Sequence, residues 1–395
     1  MNTDPVVIVS YARTPMGSFQ GILTDAPATD LGAAAVAAAV ERAGVSAADV
    51  ERIYMGCVLS AGLGQAPARQ AGIRAGLGEH IEATTLNKMC GSGMQAAILA
   101  AEALAAGSVD LIVAGGMESM TNAPYLSLRH RSGARIGHDV MKDHMYLDGL
   151  EDAYEPGRLM GSFAEDTARE YQFTRAAQDD YAIASLTRAQ AAQASGAFDR
   201  EIVPVEVTGR KGTTTVARDE QPAKGDPSKI PTLKPAFSKD GTITAANASS
   251  ISDGAAAMVM TRASVAERLG LTPVARIVAH AGHAHAPALF TTAPVFAMRK
   301  VLDRAGWSAA NVDLFEVNEA FAAVAMIAMH DLSIPHDVLN IHGGACALGH
   351  PIGASGARIM ATLLSALETT GQKRGLASLC IGGGEATAVA VELMH

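Results

Sequence analysis

The sequence predicts an α/β protein whose core is built twice from one arrangement of helices and strands. Two stretches share the same order: a small-residue helix start, an apolar helix, a buried strand, and glycines before a glutamate. They run over residues 92–118 and 355–385. Any two βα units look somewhat alike, but the matched ends favour duplication. We expect two similar α/β halves with a segment of different character inserted between them.

Length, charge and cysteine content narrow the class of protein. The 395 residues are 49% hydrophobic, which is enough to bury one large core or two domains. A formal net charge of −9 argues against nucleic-acid binding. We expect no membrane association, because Gly and charged residues interrupt each apolar run, and a cytoplasmic location, because no basic leader precedes the first strand. The four widely spaced cysteines argue against a disulfide framework.

Local signals place the elements along the chain. They predict strands at 6–10, 50–59, 111–114 and 376–381, and helices at 30–43, 90–107, 165–194 and 355–371. Asp30 is the expected N-cap of the first helix and Gly44 its stop, and Gly115-Gly116 should end the third strand. We expect an N-terminal half at 1–120, completed by about 246–270, an inserted domain at 121–245, and a C-terminal half at 271–395.

One segment of the inserted domain is locally basic in an otherwise acidic chain. Residues 207–239 hold seven basic side chains, Lys211 among them, against three acidic ones. Such an excess can hold a phosphorylated ligand, and it can equally belong to a solvated loop.

Cys90 is the candidate nucleophile. It opens a predicted helix and is followed by Gly91-Ser92-Gly93. The helix dipole and free amides at such a position lower a thiol pKa from its free value of ~8.5 towards neutrality, although a lone cysteine is more often inert. His350, in the glycine-rich turn 343–356, can accept the thiol proton or be structural.

A second thiol and an amide extend this candidate site. Cys380 ends a buried strand and would be a core residue by itself, but a second thiol can move a proton to or from carbon. Gly382 follows it and can supply a backbone N–H to an oxyanion. Asn318 follows an apolar run, where it can orient a water, donate to an oxyanion or cap a helix. From the residues alone the cap is the favoured interpretation.

Metal and dinucleotide chemistry are disfavoured. His280, His283 and His285 have no nearby Cys or carboxylate to complete a ligand set. No G-x-G-x-x-G follows the first strand. We therefore expect neither a metal nor a cofactor.

Four segments in order resemble the motifs of the thiolase family, and the resemblance covers essentially the whole chain. They are Asn-Lys-Met-Cys-Gly-Ser-Gly at 87–93, Asn-Glu-Ala-Phe at 318–321, the turn at 343–353 and Cys-Ile-Gly-Gly-Gly at 380–384. The resemblance implies reversible condensation of two acetyl-CoA to acetoacetyl-CoA and CoA, with CoA as substrate and product. It implies that Cys90 carries the acetyl group, that His350 takes the Cys90 proton, and that Cys380 deprotonates the second acetyl-CoA.

The resemblance also assigns the supporting groups. The Cys90 and Gly382 amides form one oxyanion hole, and His350 with a water held by Asn318 forms the other. The implied substrate contacts are Ser249, Phe321, Met160, Ala320 and Lys224. A homotetramer, a dimer of dimers joined by a loop at 122–137, is expected. The resemblance further implies that the two halves are layered as α-β-α-β-α and that the insertion between them forms a loop domain.

The preferred length of the substrate's acyl chain, and two positions that differ from the family's motifs, leave alternatives open. The segments at 115–125 and 340–344 and the bulky Met160 resemble short-chain members, but Leu159 replaces a common His and Glu385-Ala386 replaces a frequent apolar–Gly pair. A broad or long-chain 3-ketoacyl-CoA thiolase is the nearest alternative. A non-catalytic acyl or lipid carrier and a simple Cys–His hydrolase are the others.

Overall fold

The structure, a computed structural model, describes residues 4–210 and 212–395, so that Lys211 lies outside the described residues. The strands of the described chain are β1 Val6–Arg13, β2 Gly17–Ser18, β3 Arg52–Gly56, β4 Glu82–Leu86, β5 Leu111–Ser119, β6 Tyr125–Ser127, β7 Met141–Asp143, β8 Val205–Gly209, β9 Gly212–Val216, β10 Ser252–Arg262, β11 Ala275–Ala284, β12 Leu314–Val317, β13 Arg374–Ile381 and β14 Glu385–Leu393.

The α-helices, in chain order, are α1 Ala28–Ala43, α2 Pro67–Arg74, α3 Ser92–Ala105, α4 Met160–Glu170, α5 Arg175–Ser195, α6 Glu220–Lys224, α7 Ala263–Leu269, α8 Ala293–Ala305, α9 Ala322–Leu332, α10 Ala345–Leu348 and α11 Ser355–Thr370. Short 3₁₀ turns and one π-helical segment, Tyr146–Leu150, connect them. No helix among the described residues has both the length and the apolar character needed to cross a membrane.

The main sheet repeats one topology and so confirms the predicted duplication. In the N-terminal half, β3 is parallel to β5, and β10 is antiparallel to both β5 and β1. In the C-terminal half, β12 is parallel to β13, and β14 is antiparallel to both β13 and β11. Pairing of β1 with β11 joins the halves.

Alternating side chains of the strands separate the helical layers. On β5, Val113 packs with α1 on one face, whereas Ile112 packs with α3 and α11 on the other. On β13, Leu379 faces α3 and α11, and Leu376 packs with α8 on the outer face. Because α3 and α11 pack against each other between the two half-sheets, the layers follow the expected α-β-α-β-α order.

Some local expectations were wrong. Asp30 is not an N-cap, because α1 begins two residues earlier. The single helix expected at 165–194 is divided into α4 and α5. The glycines at 115 and 116 lie inside β5. A Cβ at Gly115 would lie 2.3 Å from the Ala256 carbonyl oxygen, and a Cβ at Gly116 would lie 2.1 Å from the Gly353 carbonyl oxygen. They allow close backbone approach and do not end the strand.

Candidate active site

Cys90 lies in a strained turn directly before α3. Met89 has a φ of +46°, in the left-handed region that few non-glycine residues adopt. Asn87 Oδ1 accepts the Met89 N–H at 3.0 Å, and Ser92 Oγ donates to the Met89 carbonyl at 2.6 Å. The helix begins at Ser92, two residues later than expected. Strain held by a surrounding hydrogen-bond network is common at catalytic nucleophiles.

The environment of the Cys90 thiol overturns the expectation of a near-neutral pKa. Burial raises its pKa to about 11, and the nearby Glu118 carboxylate adds to the rise. The backbone N–H groups of Gly382 and of Cys90 itself favour the thiolate and lower the pKa, which acts in the opposite direction. Burial outweighs the two amides, so the resting thiol keeps its proton and needs a base.

Cys380 lies beside the same site, at the buried end of β13. Burial raises the pKa of its thiol well above the ordinary value, and negative charge on Cys90 raises it further. The two cysteines are also close in the fold, because a Cβ at Gly91, the residue after Cys90, would lie 2.3 Å from Cδ1 of Ile381, the residue after Cys380. A Cβ at Gly382 would lie 3.4 Å from Met160 Sδ. The two thiols, Gly382 and Met160 therefore share one region.

His350 is a neutral imidazole held from one side. Burial and then the positive charge of Arg358 lower its pKa to about 3. Its Nδ1 lies 2.6 Å from Ser355 Oγ, whose hydroxyl donates to the Pro351 carbonyl at 2.9 Å. Because that hydroxyl proton is in use, Nδ1 is assigned as the donor to Ser355, which leaves Nε2 unprotonated. The buried Nε2 has no hydrogen-bond partner among the described residues, so it is free to act as a base.

Asn318 directs its amide at His350 and caps no helix. The cap interpretation is wrong, because α9 begins at Ala322 and is preceded by Phe321. Asn318 Nδ2 lies 3.4 Å from His350 Nδ1, and its Oδ1 lies 3.4 Å from Arg358 Nη2. Its backbone N–H donates to the Ser378 carbonyl of β13 at 3.0 Å. With Nδ1 of His350 assigned as a donor, it is the buried guanidinium of Arg358 that holds the amide, through Oδ1, beside the imidazole.

Glu118 is a buried carboxylate to which the sequence analysis gave no role. It accepts the N–H groups of Val58, Leu59 and Gly353 at 2.9–3.1 Å. Burial raises its pKa to about 7 in spite of these hydrogen bonds. Since Gly353 lies in the turn that carries His350, Glu118 joins this turn to the loop after β3. A glutamate at the end of a fully apolar strand is the sequence signal that could have identified it.

Glu319 is the second carboxylate without an assigned role. It accepts from Tyr181 at 2.9 Å and from Ser185 at 2.7 Å, both on α5, and from Asn340 Nδ2 at 2.8 Å. It also accepts the Cys346 N–H at 3.0 Å. These bonds tie the Asn318 segment to α5 and to the glycine-rich turn. Its place inside the second motif was the available signal.

The expected pantetheine contacts lie together beside this region. The Ser249 N–H donates to the Ala320 carbonyl at 2.9 Å, and Ala248 forms an antiparallel bridge with Phe321. The Phe321 ring packs edge-on against Phe237, with centroids 6.0 Å apart. The structure therefore places Ser249, Ala320 and Phe321 next to one another.

Lys224 belongs to a different part of the surface. Its ammonium group pairs with Glu220 and is largely exposed. It lines a cavity of about 240 Å³ together with Gln221 and Ala246, and a neighbouring one of about 490 Å³ together with Ser250. The Ser250 carbonyl accepts the His350 N–H at 3.1 Å, which connects these cavities to the turn of the imidazole.

The sequence matches two protein-family domains that together span nearly the whole chain. The thiolase N-terminal domain matches residues 6–264, and the thiolase C-terminal domain matches residues 271–393. Acetyl-CoA acetyltransferase 2 of Arabidopsis thaliana is 49% identical over 397 residues, covering 100% of this chain and 98% of the relative. Acetyl-CoA acetyltransferase of Cupriavidus necator is 48% identical over 389 residues, covering 98% and 99%. The chain belongs to the thiolase family.

Proposed function

We propose that this protein is an acetyl-CoA acetyltransferase that reversibly condenses two acetyl-CoA to acetoacetyl-CoA and CoA through an acetyl-cysteine. The observation that carries the proposal is that the turn of Cys90 meets the end of the strand that carries Cys380, where Ile381 Cδ1 lies 2.3 Å from the Cβ position of Gly91 and Gly382 follows next in the chain. The names of the relatives in Arabidopsis thaliana and Cupriavidus necator support the same activity.

In the first half-reaction the Cys90 sulfur attacks the carbonyl carbon of acetyl-CoA. The thiol proton passes to Nε2 of His350, the buried nitrogen without a partner among the described residues. The N–H groups of Cys90 and Gly382 stabilise the oxyanion. The carbon–sulfur bond to CoA then breaks, and the CoA sulfur takes the proton of Cys380. Acetyl-Cys90, an imidazolium and a Cys380 thiolate remain, so charge is conserved.

In the second half-reaction the Cys380 thiolate removes a methyl proton from the second acetyl-CoA. The His350 imidazolium and a water held by Asn318 stabilise the enolate oxygen. The enolate carbon attacks acetyl-Cys90, the carbon–sulfur bond breaks, and the Cys90 sulfur recovers its proton from His350. Two thiols are required because one holds the acyl group while the other moves the α-proton.

The protonation states at rest predict an unusual pH profile. Because the pKa of His350 is lowered to about 3, its imidazole stays neutral and competent as a base at pH values where a free histidine is charged. We expect the rate of Cys90 acetylation to change less than about twofold between about pH 8 and about pH 5.5. Rapid-quench mass spectrometry across this range would measure that rate.

Glu118 supplies the control for the pH experiment. Its pKa of about 7 lies within the tested range, so its titration can produce an inflection unrelated to His350. A Glu118→Gln variant removes that group and should leave the profile flat. An acetylation rate that halves near pH 6.5 in both proteins would show that His350 titrates as an ordinary histidine, against the proposed resting state.

The acyl-chain length that the enzyme prefers in its substrate separates the proposal from its nearest alternative. Met160 Sδ reaches the position beside Gly382, so its side chain should close the acyl pocket behind the acetyl group. We expect faster thiolysis of acetoacetyl-CoA than of a 3-ketoacyl-CoA with eight carbons, and Met160→Ala to raise kcat/KM for the longer substrate about tenfold or more. Initial rates on both substrates measure this. Faster turnover of the longer substrate by the wild-type enzyme would favour a broad or long-chain 3-ketoacyl-CoA thiolase.

We further propose that the enzyme works as a cytoplasmic homotetramer without a cofactor, CoA being substrate and product. Support for association comes from apolar side chains exposed on the segment at 122–141, namely Tyr125, Leu128, Ile136, Val140 and Met141. The four free cysteines favour a reducing compartment. We assign residues 121–245 to CoA binding, with Lys224 near the phosphates, and to association of the subunits.

A further inference from the structure

We propose that the ion pair between Lys88 and Glu385 is a positioning element that sets the distance between the two N–H groups of the oxyanion hole. This inference rests on the proposed function, in which the Cys90 and Gly382 amides stabilise the same oxygen. These amides lie 292 positions apart in the chain and on different halves of the fold. Their relative placement therefore depends on contacts between two separate loops.

The Lys88 side of the pair is rigidly joined to the nucleophile. The Lys88 N–H donates to Ser92 Oγ at 2.8 Å, and its carbonyl accepts the Gly91 N–H at 3.0 Å. Residues 88 and 90 also form a parallel bridge around the left-handed Met89. The backbone at Lys88 is therefore fixed relative to the Cys90 amide, so that an ion pair made by the Lys88 side chain restrains the whole turn.

The Glu385 side is joined to the oxyanion glycine in the same way. Glu385 begins β14 and pairs across the hairpin with Ile381, the residue before Gly382. The turn between them needs left-handed glycines at 383 and 384. A Cβ at Gly384 would lie 2.5 Å from the His285 carbonyl oxygen, so the turn is packed from behind. Glu385 therefore has little freedom relative to the Gly382 amide.

The Lys88 ammonium and the Glu385 carboxylate connect these two rigid turns directly. The turns also contact through Ile381, whose Cδ1 would lie 2.3 Å from a Cβ at Gly91. Apolar contact fixes how closely the turns approach, and the ion pair restrains their sliding and rotation.

Partial exposure makes the restraint sensitive to salt. The side chains of Lys88 and Glu385 are 28% and 38% exposed, so ions reach the pair and screen it. Exposed pairs contribute little to stability, so the expected effect is on rate and not on unfolding temperature. A small displacement of an oxyanion donor lowers the rate strongly, because the donor must lie in place before charge develops.

The test measures single-turnover acetylation of Cys90 at saturating acetyl-CoA, by rapid quench and mass spectrometry. We expect Lys88→Met and Glu385→Gln each to slow acetylation about tenfold, with little change in KM or Tm. The double variant should be no slower than either single variant, because both remove one interaction. The exchanged pair, Lys88→Glu with Glu385→Lys, should recover part of the rate. About 1 M NaCl should slow the wild type and leave the single variants unaffected.

The matched control is Arg276→Met. Arg276 pairs with Glu392 on the same strand as Glu385, and this pair is also partly exposed. Its loss should leave the acetylation rate unchanged. Two results would overturn this inference and leave the proposed function standing. One is an acetylation rate in the single variants within about twofold of the wild-type rate, and the other is a double variant in which the two losses of rate add. A wild type that is never acetylated would instead overturn the proposed function, and this inference with it.

Discussion

Replacing Cys90 by alanine should abolish acetyl-enzyme formation and lower turnover about 10³-fold or more, because no other group can hold the acetyl at the oxyanion site. Cys380 remains, but its thiol is almost fully buried and its pKa is raised well above the ordinary value. The thiolate needed for attack is therefore scarce at Cys380. Mass spectrometry after exposure to acetyl-CoA should find one added acetyl group in the wild type and none in the variant.

Locating the acetyl group distinguishes this expectation from general reactivity of thiols. In the wild type the modified peptide should contain residue 90, and the peptides with Cys57, Cys346 and Cys380 should be unmodified. Alanine is smaller than cysteine and fits the existing turn, so the unfolding temperature should hardly change. An acetyl group found on another cysteine, or full turnover by Cys90→Ala, would contradict the assignment of the nucleophile.

The sequence predicted the parts of the site that depend on local chemistry. Cys90 and Cys380 were identified because each lies beside glycines that let backbone N–H groups approach a ligand. The duplicated topology was readable because each half repeats its own local order of helix, strand and glycines. These signals depend on residues that are close together in the sequence, so they can be recognised without the folded structure.

The pKa of Cys90 could not be predicted in the same way. The position before a helix indicated a lowered pKa, and burial in the folded protein raises it to about 11. Cys90 packs with apolar side chains from distant parts of the chain, such as Met145 and Ile352. As a consequence, the Cys90 thiol and the His350 imidazole are both neutral in the resting protein, and no thiolate or imidazolium is present there before substrate binds.

Contacts between residues far apart in the chain could also not be predicted from the sequence. Glu118 lies 235 positions from Gly353, whose N–H it accepts, and nothing local indicates that pair. The role of Asn318 was misjudged for a similar reason. Its sequence environment is that of a helix cap, whereas Arg358, which donates to its Oδ1, determines the direction of its amide. Motif resemblance identified the residue, and tertiary contacts explain its orientation.

Replacing Cys380 by serine should separate the two half-reactions. Acetylation of Cys90 should persist within about tenfold, because the departing CoA thiolate is stable enough to leave without a proton donor. Condensation should fall about 10³-fold, since a serine hydroxyl is a poor base for the weakly acidic methyl group. Quenched-flow detection of acetyl-enzyme measures the first rate, and formation of acetoacetyl-CoA measures the second.

The Cys380→Ser variant also decides among the classes of protein considered. A simple Cys–His hydrolase needs no second thiol, so undiminished turnover in this variant would favour hydrolysis. An acyl carrier would show neither acetylation nor condensation in any form of the protein. Equal loss of both half-reactions would mean that Cys380 supports the nucleophile itself, against the separate roles proposed here. Persisting acetyl-Cys90 with blocked carbon–carbon bond formation is the one outcome that fits two thiols acting in succession on one acetyl group.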